Sequence, residues 1–325
     1  MTVVALYTVF GEGFDPYYNL ALEEYLLSRV PEIGCILYLW QNDHTVVIGR
    51  NQNPWAECRT SLLQEERGHL ARRLSGGGAV YHDLGNLNFT FLCKEESYDL
   101  EKQLSVIQKA VSYAGIDAYF SGRNDLLADG RKFSGNAFYH GKGAAYHHGT
   151  LLIHTDTKKM GRYLSPPKAK LETKGIASVR SRVVNLTALS PTLTVDNMKA
   201  YMVQAFAEIY GTQPQALSLS ETEKVEVLQL RQRYAGEDWL YGKPMPFSCT
   251  FSGHFSFGNL ELQLSIESGS ITALQVYTDA MDAELPQRLS AVLTGCPFRA
   301  AEMANAVTAL EIGTELADFI RSQQI

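Results

Sequence analysis

The stretch Arg72–Phe91 reads RRLSGGGAVYHDLGNLNFTF. Two arginines and a serine lead into three consecutive glycines and Ala79, then a short apolar run. The turn residues Asp83-Leu84-Gly85-Asn86 follow, and an alternating run extends from Leu87 to Cys93. This pattern predicts a β-hairpin entered from a glycine loop. Three glycines let a backbone approach a ligand closely and direct bare N–H groups at it. An arginine at the loop mouth offers a planar donor fork suited to carboxylate or phosphate. A flexible turn with two solvated arginines fits the same letters, because glycine punctuates many loops.

Outward from this stretch the chain alternates between both kinds of element. Asp15-Pro16 opens a helix, with an acid at the N-cap and proline in the first turn, and the apolar pattern carries it to Pro31. Cys35–Trp40 and Thr45–Gly49 read as strands, and Glu57–Leu70 reads as a helix leading to the arginines. Asp99 caps a helix that Gly115 ends. Asp129-Gly130 joins Leu126-Leu127 to Arg131–Ser134 as a second hairpin, on which alternation places Ser134 and Asn136 with Lys132. Thr194 caps a helix around Met198–Tyr210, and Ser220 with Glu223 forms a capping box. Beyond Gly242-Lys243-Pro244-Met245-Pro246 come three strand-like runs and three helical ones, with Leu260, Leu262, Leu264 and Ile266 on one strand face. The chain therefore reads as α+β, with a large mixed-sheet domain over residues 1–245 and a small α+β domain over 246–325.

Bulk properties narrow the function. The 325 residues suffice for one large core and a smaller one. A formal charge of −6 argues against a general nucleic-acid or anionic-membrane binder. No run approaches the roughly 20 apolar residues of a membrane span. The N-terminal apolar run lacks the basic lead-in of a signal peptide. Five scattered cysteines without a CxxC pair suit a reducing cytoplasm and offer neither a disulfide framework nor a zinc site.

Several residues carry two readings each. Lys132 is either a solvent-facing lysine beside a turn or an ammonium placed to neutralise a carboxylate attacking phosphate. Asn124 and Asp125 are either strand-entry polar residues or oxygen donors of the kind that suits Mg²⁺. His82 and His148 fit packing as well as binding. From Lys158 to Arg182 stand eight lysines and arginines, Lys174, Arg180 and Arg182 among them, against Glu172 alone. Such a run is either a solvated face or a basic loop that closes on phosphates.

RRLSGGGAVYHDLGN, together with GRNDLLADGRKFSGNA and HHGT (Gly122–Ala137 and His147–Thr150) and KGIASVRSRVVNL (Lys174–Leu186), resembles the lipoate–protein ligase A family. The resemblance runs from the N-terminal helix to the C-terminal end. It implies the large-domain fold of biotin–protein ligases and class II aminoacyl-tRNA synthetases, with the family's accessory domain following. It also implies an ATP- and Mg²⁺-dependent enzyme that activates free lipoate or octanoate as an acyl-adenylate. The acyl group then goes to a lysine of lipoyl-acceptor domains, those of 2-oxoacid dehydrogenase complexes and the glycine cleavage H protein. By resemblance Lys132 is catalytic and nucleotide-binding, and Asp125 is the metal contact. Asn124, Ala79, Lys174, Arg180 and Arg182 serve the nucleotide. Arg73, Ser75, Gly76, Gly77, Gly78, His82 and His148 serve lipoate. The rival readings are an ATP-independent octanoyl or lipoyl transferase and a non-catalytic relative. The former often uses a cysteine thiolate, and no cysteine lies between Cys93 and Cys249.

Overall fold

A computed structural model describes residues 5–32, 34–121, 125–164, 183–243 and 245–323. The chain divides into two compact units. One comprises Met1–Val47, Trp55–Arg72 and Ala79–Leu240, and the other Ile48–Pro54, Arg73–Gly78 and Tyr241–Ile325. The glycine loop thus groups with the C-terminal residues.

The first unit is built on strand β1 (Ala5–Phe10), helix α1 (Pro16–Leu27) and strands β2 (Gly34–Trp40) and β3 (Thr45–Ile48). Short helices α2 (Pro54–Glu57) and α3 (Thr60–Glu65) lead to β4 (His69–Arg72), β5 (Val80–His82) and β6 (Asn86–Lys94). Then come α4 (Leu100–Ser112), β7 (Ala118–Ser121), β8 (Asp125–Ala128), β9 (Arg131–Gly141), β10 (Ala144–Leu152) and α5 (Thr157–Tyr163). Helix α6 (Val195–Tyr210), β11 (Gln215–Ala216), α7 (Glu221–Tyr234) and α8 (Glu237–Leu240) complete it. Eight strands form one mixed sheet in the order β11-β1-β2-β6-β10-β9-β8-β7, and β4-β3-β5 form a smaller one.

Local chemistry explains the helix starts. Asp15 accepts from the Tyr17 amide, Asp99 from Lys102, and Thr194 from Asn197, while Ser220 and Glu223 form a reciprocal capping box. Gly211, at φ 72°, closes α6 in the left-handed conformation that glycine adopts without strain. Alternation along β6 sends Phe89 and Phe91 into a core with Val106 and Ile107 of α4 and Met198 and Phe206 of α6. Thr90 faces the other way, toward α1, so both faces of the strand are buried.

The first hairpin is not formed. β5 pairs with β3 in the small sheet, whereas β6 pairs with β2 and β10 in the large one. The Asp83–Asn86 turn therefore joins two sheets, and Ile153 and His154 donate to Gly85 O to hold it. The helix expected over 57–70 is likewise cut short. Arg67 at φ 58° and Gly68 break it, and Leu70 enters β4. Lys132 does not share a face with Ser134 and Asn136, because the β8–β9 register shifts between Leu126 and Leu127.

In the second unit, strands β12 (Cys249–Phe255), β13 (Gly258–Glu267) and β14 (Ser270–Thr278) form an antiparallel sheet. Helices α9 (Leu285–Leu293), α10 (Ala300–Val307) and α11 (Gly313–Arg321) supply Leu289, Val307 and Ile320 to a core with Leu260, Leu262 and Leu264. Among the described residues no helix is long and apolar enough to cross a membrane.

Candidate functional site

In the first unit, chemistry-bearing residues gather on the sheet face opposite α4 and α6. Lys132, on β9, places Nζ 2.7 Å from Asp125 Oδ1 of β8, each side chain about one-third exposed. The contact is a short ion pair between the ammonium and the carboxylate. The backbone carbonyl of Lys132 accepts from Val184 N at 2.8 Å, which ties the strand to the chain leaving the basic segment. Gly135, the register partner of Asp125, donates its N–H to Thr150 Oγ1 at 3.3 Å.

Deeper on the same face lies a polar network that sequence reasoning missed. Glu23 of α1 is 2% exposed, and its Oε1 accepts from Thr90 Oγ1 at 2.7 Å and meets His148 Nδ1 at 2.8 Å. Trp40 Nε1 donates to Thr90 Oγ1 at 3.1 Å, and the Tyr146 ring packs on His148. Beside it, Asn19 Nδ2 donates to Asn42 Oδ1 at 3.0 Å and Tyr38 OH donates to Asn19 Oδ1 at 3.2 Å. Asn42 Nδ2 lies 3.2 Å from His82 Nδ1, so that nitrogen is the acceptor and the ring proton sits on Nε2. A buried charge needs such partners, because transfer out of water without them costs several kcal/mol. One signal was available: Asn19 and Glu23, one helical turn apart, interrupt an otherwise apolar stripe beside Leu20, Ala21 and Leu22.

The neighbouring His147 faces the core instead, stacked on Phe91 and flanked by Phe89 and Phe138. Burial, and secondarily His148, pull its pKa down to about 3, so it stays neutral. Its Nδ1 meets Gln103 Oε1 at 3.2 Å and its Nε2 meets Asn136 Oδ1 at 2.8 Å. A neutral ring donates through one nitrogen only, so one of these amides turns its NH₂ to the imidazole.

The glycine loop is described within the second unit. Arg73, 5% exposed, folds back on its own loop. Its Nε donates to Ser75 Oγ at 3.0 Å, and its Nη2 donates to Gly76 O at 2.7 Å and Gly78 O at 2.8 Å. Gly77, at φ 86°, donates its N–H to Ala280 O at 3.0 Å. A Cβ on Gly76 would stand 2.3 Å from Ala280 O, so these glycines permit close backbone packing. Gly78, by contrast, opens onto space, with no described atom within 4 Å of its Cβ position. Arg73 thus shapes the loop, where the sequence suggested an outward donor fork.

Among the sequence-derived candidates, the structure brings Lys132 to Asp125 and places His82 and His148 in the buried network of the same unit. Arg73, Ser75, Gly76, Gly77 and Gly78 belong to the other unit, while Ala79 belongs to the first. Asn124, Lys174, Arg180 and Arg182 lie outside the described residues. Among the described residues, no group of three histidine, cysteine or acidic side chains could hold a metal by itself.

Comparison with known proteins gives this geometry a context. Residues 15–207 match the lipoyl protein ligase A/B catalytic domain, and residues 245–325 match the bacterial lipoate protein ligase C-terminus. The chain is 41% identical over 296 residues to lipoate-protein ligase A of Bdellovibrio bacteriovorus, covering 89% of this chain and 87% of that one. Its fold is similar to that of P. falciparum LipL1 in complex with lipoate, at 28% identity and a TM-score of 0.82 over 98% of each chain. It is also similar to a lipoate-protein ligase A bound with ATP, at 26% identity and a TM-score of 0.65 over 74% of this chain and 99% of the other. With a matched catalytic domain, a matched C-terminus and that degree of identity, the chain belongs to the lipoate–protein ligase A family of enzymes.

Proposed function

We propose that this chain is an ATP-dependent lipoate–protein ligase acting through an acyl-adenylate. The observation that carries the reading is the Lys132 ammonium, held 2.7 Å from Asp125 on the open face of β8 and β9. One relative binds lipoate and another ATP, which supports the substrate pair.

In the first step the carboxylate of lipoate, or of octanoate, attacks the α-phosphorus of ATP. The P–O bond to the β-phosphate breaks, giving acyl-AMP and pyrophosphate. In the second step the ε-amine of an acceptor lysine attacks the acyl carbon, AMP departs, and the amine loses a proton. Lys132 stabilises negative charge in both steps, on the pentavalent phosphorus and then on the leaving AMP. Asp125 fits a magnesium ion arriving with ATP, because Mg²⁺ takes one or two carboxylates and keeps several waters. That ion would neutralise phosphate charge. Arg73, Ser75, Gly76, Gly77, Gly78, His82 and His148 are assigned to lipoate, and Ala79 to the nucleotide. Asn124, Lys174, Arg180 and Arg182 are assigned to the nucleotide.

We assign catalysis to residues 1–245 and an accessory role to 246–325, in keeping with the two matched models. The acceptors are lipoyl domains of 2-oxoacid dehydrogenase complexes and the glycine cleavage H protein. A related archaeal ligase from Thermoplasma acidophilum, 27% identical with a TM-score of 0.66, was solved as a system with its E2 lipoyl domain. Five free cysteines fit a reducing cytoplasm.

The test is pyrophosphate release on mixing the protein with ATP and lipoate, followed by mass gain of an acceptor domain. Both should occur in the wild type, and Lys132→Ala should lose pyrophosphate release. Acyl transfer from a carrier protein without ATP, and no pyrophosphate, would establish the transferase reading instead.

A further inference from the structure

The register slip in the β8–β9 hairpin decides where Lys132 points. Leu126 pairs with Ser134 and Leu127 with Lys132, so Phe133 is an extra residue, a β-bulge. Without it, alternation would set Lys132 beside Ser134 and leave Gly135 on the opposite face. With it, Phe133 and Ser134 turn inward at 0% exposure, while Lys132 shares a face with Asp125 and Gly135.

The lysine side chain then runs back along its own strand across position 135. A Cβ built on Gly135 would stand 2.9 Å from Lys132 Nζ and 3.1 Å from its Cε. The next atom, Thr150 Oγ1, is 3.9 Å away, an ordinary contact. Gly135 is also absent from the residues with positive φ among those described, so its backbone suits any L-amino acid. Neither a turn nor a tight backbone approach of that Cβ position accounts for the glycine. Among the described residues, the one atom group it makes room for is the end of Lys132.

We infer that Gly135, together with the bulge at Phe133, is a positioning residue for Lys132: it leaves open the strip of sheet along which the lysine lies to bring its ammonium to Asp125. Among the described residues a methyl group there crowds only the flexible end of a lysine, so the fold tolerates it and the lysine is displaced. The inference deepens the reading of Lys132 as the catalytic ammonium and rests on it for its kinetic consequence.

The experiment compares wild type, Gly135→Ala, Lys132→Ala and the double variant, in the full chain. Melting temperature of Gly135→Ala should match the wild type, and a large drop would overturn the inference, since it would mean the glycine serves packing. Acylation of Lys132 by an N-hydroxysuccinimide ester, read by peptide mass spectrometry without substrates, should rise several-fold as the ammonium leaves Asp125. Unchanged labelling would overturn it. The kcat for pyrophosphate release should fall about 10²-fold, the scale of a 1 Å misplacement, with KM for ATP little altered. Gly135→Ala should cost nothing further when added to Lys132→Ala. An equal loss in that background would overturn the inference, because the glycine would then serve substrate directly. Increased labelling alongside a fully active Lys132→Ala would leave the positioning intact and remove the catalytic assignment of Lys132.

Discussion

His148 Nδ1 stands 2.8 Å from Glu23 Oε1, joining the middle of β10 to α1 across 125 positions of sequence. The two side chains are 9% and 2% exposed, so solvent does little to weaken the contact. Thr90 Oγ1 donates to the same oxygen. Glu23→Ala strips the acceptor from two buried donors at once, and breaking a buried pair of this kind costs about 3 kcal/mol. Glu23→Gln keeps an oxygen that both donors can reach and should cost under half as much. Urea midpoints of the two variants check the order; equal losses would mean that the side-chain volume, not the acceptor oxygen, matters here.

His147 gives the chain a defined response to acid. Burial holds its folded-state pKa at about 3, against roughly 6.5 for an exposed histidine. Above pH 6.5 neither state binds the proton and the stabilisation is complete. Below it the unfolded chain takes a proton that the folded one refuses, so stability falls by about 1.4 kcal/mol per pH unit until pH 3. Between pH 6.5 and 5 this amounts to about 2 kcal/mol. His147→Gln should flatten the pH dependence of unfolding by that amount over that interval, and an unchanged slope would show that other groups carry it.

Arg73 should behave as a structural arginine. Its fork satisfies the carbonyls of Gly76 and Gly78 and the Ser75 hydroxyl in a buried loop. Arg73→Ala leaves those carbonyls without a donor and should cost about 3 kcal/mol. Arg73→Lys carries the same charge as a single ammonium without the planar fork, and should recover less than half. Differential scanning calorimetry distinguishes this from a solvated arginine, whose removal would shift nothing.

The elements were legible where local chemistry decides them: the Asp15, Asp99 and Thr194 caps, the Ser220–Glu223 box and the alternating leucines of β13 all appear in the structure. Pairing was not legible, because β5 and β6 look like two arms of a hairpin although long-range partners claim each separately. Bulges are equally hidden. One extra residue at Phe133 reverses which neighbours Lys132 has, and periodicity read along a single strand carries no trace of it. Residues named from motifs, such as Lys132 and Asp125, meet in space. Glu23 went unnoticed because an acid in a helix, here beside Glu24, reads as a surface charge until its burial is known.

Two glycines close together in the sheet should respond in opposite ways to the same substitution. A Cβ on Gly149 would fall 2.6 Å from Gly135 O and 2.6 Å from Phe89 Cζ. Backbone in a paired strand cannot retreat, and Phe89 is 0% exposed in a packed core, so neither neighbour can give. Gly149→Ala should therefore destabilise the protein by about 3 kcal/mol, the upper range for overpacking. Gly135→Ala, which meets only the end of a lysine, should leave stability within about 0.5 kcal/mol of the wild type. Parallel urea melts of the two variants test the contrast. A tolerated Gly149→Ala would show that β9 and β10 can separate by several tenths of an ångström, and the strip beneath Lys132 would then be wider than the structure makes it.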